Sequence, residues 1–386
     1  MAIWSETYRP NGEAEAQASL AEMQRFANGL LPGSGADLDR ISRVRQMYLG
    51  LDRDAAFRKR LGRIIKSATA QADVTASKTK ISNRFPGQIL TVYGNSGAGK
   101  TRMLEAALAQ ENILEGIDRD GFRLFPVIRM QAPAPFNRVQ LGEAILRALG
   151  MESESDLKPD GVWKNVRNVL PRTRTSLIVI DEAQHAVRHG REPKHILSAR
   201  DEMKNLTGND YWPVSIILVG TKPLRRFIET DNQLRRRNTW FPVRPIAPHS
   251  VTGLLGDGDL GDVVDAIEEA CRRAKLANAI DDIEDVAQRL AFACALEYGR
   301  IFDLLRLAAE IAVVEGSGEL GRRHFEIALE ERTACDLSEN SFRTDVEDFV
   351  TIQHWLPEED DFRDSKTDPL FPDHDTKPPK APRTRR

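Results

Sequence analysis

Apolar and polar positions follow two different periods along this chain, and the change falls near residue 88. Over 36–70, "ADLDRISRVRQMYLGLDRDAAFRKRLGRIIKSATA", apolar residues recur three and four apart with few breakers, the helical spacing. From Gln88 short apolar runs alternate with helical stretches. The runs are "QILTVY", "FRLFPVIRM", "SLIVI", "VSIILVG" and "NTWFPV"; "VQLGEAILRALGM" between them has the amphipathic pattern of a helix. Continuous apolar strands separated by helices predict a mostly parallel sheet covered on both faces. Residues 249–335 carry no strand signal and read as helices over "GDVVDAIEEACRRAKLA", "IEDVAQRLAFACALE", "RIFDLLRLAAEIAVVE" and "RRHFEIALEERTA". The predicted organisation is a helical, basic extension (1–85), an α/β core (86–247), a helical subdomain (248–335) and an acidic tail (336–386). The Pro- and Asp-rich end from residue 351 is too poor in aliphatics to predict a packed structure.

Composition narrows the class. The chain has 386 residues, 41% hydrophobic and 29% charged, which suits a soluble protein with a sizeable core. No apolar run reaches the roughly 18 residues that span a bilayer, so no membrane role is expected. The start, "MAIWSETYRPNGEAEAQ", lacks the basic and apolar segments of a secretion signal. Three distant cysteines, Cys271, Cys294 and Cys335, suggest neither a disulfide framework nor a zinc site, and a cytoplasmic location is expected. The net charge of −3 conceals a basic block, 12 Lys/Arg against 3 Asp/Glu over 40–84, and an acidic one, 2 against 11 over 345–375. Such runs are solvated surfaces in general; the basic one also suits a polyanion.

The chemistry begins where the first strand ends. "GNSGAGKT", Gly94–Thr101, matches G-x-x-x-x-G-K-[ST] without departure, after a strand and before a helix. Glycines allow backbone N–H groups to converge on phosphate oxygens, Lys100 adds charge at the β and γ phosphates, and Thr101 offers a hydroxyl to Mg²⁺. The following helix aims its positive end at the same anion. "LIVIDE" then delivers Asp181 and Glu182 to the C-terminal end of an interior strand, where ligands bind in open α/β sheets. Asp181 is placed to bind Mg²⁺ through water and Glu182 to polarise an attacking water.

Other positions carry two readings each. Thr221, after "ILVG", is either a polar γ-phosphate contact or a turn threonine. Arg235, Arg236 and Arg237 before the fifth strand are a finger for a neighbour's γ-phosphate, with Arg236 and Arg237 preferred, or a basic corner that is solvated or touches nucleic acid. Arg300, early in a helix, either folds onto a bound nucleotide or faces solvent. His185 and His189 are four apart but lack a further metal ligand, and are read as structural or surface residues.

Taken in order, "GNSGAGKT", "IRMQAPAPFNRVQLGEAILRALG", "LIVIDEAQH", "ILVGTKPLRRFIETDNQLRRR" and "YGRIFDLLRLA" resemble the AAA+ ATPases that regulate DNA transposition, the TniB/TnsC type, and more distantly the ExeA-like ATPases. The resemblance runs from Asp37 to Thr333. It implies an α/β AAA+ P-loop NTPase with a five-stranded parallel sheet, a C-terminal helical lid and an N-terminal helical extension. It implies ATP and Mg²⁺, held by Gly94, Asn95, Ser96, Gly97, Ala98, Gly99, Lys100, Thr101, Arg102 and Asp181, with Glu182 catalytic. Thr221 becomes the first sensor, Arg300 the second, and Arg236 or Arg237 the finger. Many such ATPases carry Asn where this chain has Thr221, and the acidic tail has no counterpart. A ring or helical homo-oligomer on double-stranded DNA is implied, recruiting the transposase and target-selection protein of the same element.

Lys59, Arg60, Arg63, Arg225 and Arg226 are the candidate DNA contacts, to backbone rather than bases, since no helix-turn-helix or zinc-finger pattern appears. The alternatives are an ATPase of this fold that remodels a protein complex without DNA, or a nucleotide-gated interaction module with negligible turnover.

Overall fold

The computed structural model describes residues 21–26, 29, 35–70, 72, 83–109, 117–119, 122–151, 158–184, 193–247, 257–344, 349, 352 and 354–355. The described residues form two compact units: those within 48–255, 294–301 and 354–355 make the first, and those within 21–47, 257–293 and 302–352 the second. In chain order the helices are α1 Gly35–Arg45, α2 Asp52–Thr69, α3 Lys100–Ala109, α4 Arg138–Ala148, α5 Pro159–Arg172, α6 Pro193–Thr207, α7 Pro223–Glu229, α8 Asn232–Arg237, α9 Asp257–Ala274, α10 Ile283–Ala293, α11 Tyr298–Glu315 and α12 Arg322–Thr333. The strands are β1 Ile89–Tyr93, β2 Ile117–Arg119, β3 Phe122–Leu124, β4 Val127–Gln131, β5 Leu177–Asp181, β6 Ser215–Gly220, β7 Asn238–Pro242, β8 Ala277–Asn278 and β9 Glu319–Leu320.

The first unit is built on a five-stranded sheet in the order β4-β5-β6-β1-β7, with every pair parallel. Side-chain alternation divides each strand between two cores. Ile89, Ile128, Met130, Ile178, Ile180, Ile216 and Leu218 face α4, α5 and α6, meeting Leu141, Ile145, Trp163, Val166, Ala199 and Met203. Leu90, Val92, Val127, Leu177, Val179, Ile217 and Val219 face α2 and α3, meeting Phe57, Leu61, Ile64, Met103, Leu104 and Leu108. Both faces are thus dry, which is why these strands read as unbroken apolar runs.

One predicted strand is divided. "FRLFPVIRM" breaks at Pro126: Phe122–Leu124 pairs antiparallel with β2, and only Val127–Gln131 joins the sheet. Pro126 has no N–H for a ladder, and its carbonyl instead accepts from Ser176 and Leu177. Helices α5 and α6 lie in stretches for which the sequence pattern predicts no element; Pro171 inside α5 and Pro193 opening α6 break the expected periodicity.

In the second unit the predicted helices are present as α9, α10, most of α11 and α12. The two-residue strands β8 and β9 pair in parallel, an addition to the all-helical expectation. Helix α1 packs on α9, and the Arg40 Nε–H donates to the Ala274 carbonyl at 2.5 Å. Residues 336–344, assigned to the acidic tail by composition, belong to this packed unit instead. Asn340, Ser341 and Phe342 are fully buried, Phe342 lies 5.5 Å from Phe325, and buried Arg289 donates to the Ser341 and Thr344 carbonyls. A few apolar side chains and backbone acceptors for one arginine outweigh the acidic composition there. The rest of the tail from residue 356, and His185 and His189, lie outside the described residues. Among the described residues no helix is long and apolar enough to cross a membrane.

Candidate functional site

The parallel register brings the C-terminal ends of β1, β5 and β6 together, and with them Gly94, Asp181 and Thr221. The turn after β1 takes backbone conformations suited to glycine: Gly97 has φ +77° and Gly99 φ +82°. A methyl group at Gly94 would run into the Val243 carbonyl. The turn opens directly into α3 at Lys100. Lys100 is only 9% exposed, and its Nζ donates to the Gly94 and Asn95 carbonyls at 3.0 and 2.6 Å. Thr101 Oγ1 donates to Asp181 Oδ1 at 3.4 Å. Ala98 is buried, while Ser96 and the Arg102 side chain are exposed.

Asp181, 3% exposed, ends the fully buried β5. Its Oδ1 accepts the Glu182 N–H at 3.0 Å, and its Oδ2 accepts from Arg129 Nη2 at 2.9 Å. Arg129, on neighbouring β4, also donates to Glu105 at 3.0 Å. Burial opposes its charge, but the bonds to Asp181 and Glu105 outweigh that and raise its pKa. Glu182 has φ +53°, a left-handed conformation uncommon for a side chain of this kind. Its carboxylate accepts a hydrogen bond from Gln184 Nε2. Thr221 is 8% exposed; its N–H donates to Gln184 Oε1 at 3.2 Å, and its hydroxyl is buried without a partner.

The segment 294–301 closes the same end. Gly299 lies so close that a methyl there would meet the Gly97 carbonyl, and the Arg300 N–H donates to that carbonyl at 3.1 Å. The Arg300 side chain lies over Gly97, with its guanidinium 4.7 Å from the Trp355 ring. Glu297 is 1% exposed and accepts from Asn95 Nδ2 at 2.7 Å. Burial raises its pKa, against the Asn95 bond and the charges of Arg300, Lys100 and Arg53. Arg53, from α2, sits 4.7 Å over the Tyr298 ring beside Gly99, with Nε and Nη1 buried and without a hydrogen-bond partner. Burial lowers its pKa.

Sequence reasoning did not point to Arg129, Gln184, Glu297, Arg53 or Trp355. Only Arg129 carried a local signal, a charge inside an otherwise apolar strand.

Arg235, Arg236 and Arg237 stand at the N-terminal end of β7, which runs parallel to β1. They are therefore at the opposite end of the sheet from the glycine turn, a five-residue strand or roughly 16 Å away. Arg235 and Arg236 are exposed. Arg237 is tied inward, its Nη1 donating to Thr207 Oγ1 at 2.9 Å. An open groove of about 490 Å³ there is lined by Ser67, Phe85, Gln88, Arg236, Arg237 and Thr239 among others. Lys59 and Arg63 are exposed on α2, opposite Phe57, Leu61 and Ile64, with Arg60 half-buried beside them. Arg225 and Arg226 are exposed on α7, and Arg225 is paired with Glu229 at 2.7 Å.

Oxygen donors from Thr101 and Asp181 suit Mg²⁺, which takes one or two protein oxygens together with phosphate. Among the described residues no group of three or more His, Cys, Asp or Glu could hold a metal.

Residues 72–247 match the family model of the bacterial TniB protein. Solved structures share the fold. The Aeropyrum pernix ORC1 protein in complex with DNA is 20% identical with a TM-score of 0.50, covering 74% of this chain. This chain spans 66% of that ORC1 chain. The Aeropyrum pernix ORC2 protein, in ADPNP–ADP complexes, is 14% identical with a TM-score of 0.50, covering 77% of this chain and 72% of its own. No curated protein matches the chain. The fold is that of an α/β P-loop NTPase of the AAA+ kind.

Proposed function

We propose that this protein is an ATPase of the transposition-regulator kind, which binds and hydrolyses ATP, assembles on double-stranded DNA and engages a transposase. The observation that carries the reading is the meeting, at one end of the sheet, of a glycine turn, a buried lysine and two strand-end carboxylates. The TniB match and the DNA-bound ORC1 relative support the DNA half, as does the exposed Lys59–Arg63 face.

In this reading the N–H groups of the glycine turn and the start of α3 bind the phosphates. Lys100 exchanges two backbone carbonyls for phosphate oxygens. Thr101 and Asp181 would hold Mg²⁺, which would supply charge neutralisation at the phosphates. Arg129 holds Asp181 Oδ2 and keeps the carboxylate aimed. Glu182 orients and deprotonates the water that attacks the γ-phosphorus as the bond to ADP breaks. The buried Thr221 hydroxyl and Arg300 contact the γ-phosphate. The arginine that completes the site comes from another copy, because this chain's own cluster lies at the far end of the sheet. Arg236 is the exposed candidate; Arg237 is held by Thr207.

The test is fluorescent ATP-analogue binding and phosphate release, with and without duplex DNA. Lys100→Ala is expected to abolish binding. Glu182→Gln is expected to retain it while slowing turnover on the order of 10²–10⁴-fold. Wild-type protein that fails to retain ATP removes the reading; turnover and assembly indifferent to duplex DNA remove its DNA half.

A further inference from the structure

Gln184 lies two residues after Glu182 and is 5% exposed. It is wedged against the last residue of β6: a methyl group at Gly220 would come within 2.6 Å of Gln184 Oε1 and 3.0 Å of its backbone nitrogen. The neighbouring Ala183 N–H is anchored to the Val219 carbonyl at 2.7 Å. From this fixed seat the amide spans two strand ends. Nε2 donates to the Glu182 carboxylate, and Oε1 accepts the Thr221 N–H at 3.2 Å.

The partners fix which way the amide points. A carboxylate can only accept and a backbone N–H can only donate, so the nitrogen must face Glu182 and the oxygen Thr221. Glutamine supplies a donor and an acceptor on one short planar group at this reach. Methionine supplies neither, and an ionised glutamate has no donor.

We infer that Gln184 is the positioning residue of Glu182, and that it couples the direction of that carboxylate to the end of β6. The inference rests on the hydrolytic reading above. One carboxylate oxygen of Glu182 is held by the amide, which leaves the other to orient water. Glu182 needs such a hold. It follows the strand in a left-handed conformation at φ +53°, so rotation about its side-chain bonds would swing the base away from the cradle. Because the same amide accepts the Thr221 N–H, a shift of Thr221 on contact with the γ-phosphate is passed to Glu182. In this reading Gln184 acts on the reaction through Glu182.

The experiment is steady-state ATP turnover and nucleotide affinity of the full chain for Gln184→Met and Gln184→Glu, each alone and combined with Glu182→Gln, with melting curves for every variant. Both single variants are expected to lose on the order of 10- to 100-fold in kcat, since misplacing a reacting group by about 1 Å has effects of that size. KM and nucleotide affinity are expected to stay within about twofold, because the lost interaction serves the chemical step. In the Glu182→Gln background neither substitution is expected to slow the reaction further. An unchanged or raised kcat, or a loss that recurs in full beside Glu182→Gln, overturns the inference. A melting point that falls together with nucleotide affinity in both variants also overturns it, because the role is then structural. Absence of turnover in the wild type is a different result and removes the hydrolytic reading itself.

Discussion

Glu297 has its carboxyl almost completely removed from water, one oxygen on Asn95 and the other buried without a partner. Burial raises its pKa even though Arg300, Lys100 and Arg53 act against the rise. A carboxyl whose folded pKa is raised binds protons more tightly folded than unfolded, so its contribution falls as pH climbs from the ordinary carboxylate pKa through the raised one. Glu297→Gln removes that titration. Melting temperature against pH, measured without nucleotide, is expected to decline less steeply above about pH 4 for the variant than for the wild type. Equal slopes would mean that the buried carboxyl is not a source of pH dependence. The residue is invisible to motif reading, because nothing in "ALEYGR" distinguishes a buried glutamate from a solvated one.

Helix α2 shows how one element serves two surfaces. Phe57, Leu61 and Ile64 face the sheet, while Lys59 and Arg63, four apart, lie on the solvent side. The apolar spacing and the basic block were both legible in the sequence; which cations would be free was not. Arg60 turns out half-buried, and Arg225 is shared with Glu229. Each exposed cation that neutralises a DNA phosphate contributes about one to the slope of log affinity against log salt. Lys59→Ala and Arg63→Ala are therefore each expected to reduce that slope by about one, uniformly across duplex sequences. Arg225→Ala is expected to change it less. Binding titrations over a range of salt decide this, and an unaltered slope in the α2 variants would take that face out of the DNA reading.

At the scale of the molecule, the parallel sheet separates two parts that the proposed reaction brings together. Strand direction puts the glycine turn at one end and Arg236 at the other, so in the proposed reading the arginine is supplied by a neighbouring copy. Mixing gives a direct test. Arg236→Ala protein keeps an intact cradle, and Lys100→Ala protein keeps an intact arginine; each alone is expected to be inactive. Combined, they are expected to recover a fraction of wild-type phosphate release through mixed interfaces. No recovery, in mixtures that form oligomers, would exclude Arg236 as the shared group.

The amino-acid sequence by itself determined the glycine turn after β1, the strand-end carboxylates and the α/β order, because each depends on residues close along the chain and on local periodicity. It also carried the resemblance that the TniB match and the AAA+ fold bear out. Tertiary structure alone decided that Arg129 grips Asp181, that Gln184 joins Glu182 to Thr221, and that Glu297 is buried against Asn95. It also decided that Arg237 is bound inward while Arg236 is exposed. Most of these are relations between separate strands or distant segments, set by sheet register and by which face of an element is buried. Even the short step from Glu182 to Gln184 depends on β6, whose end supplies the second partner and the wall that holds the amide in place.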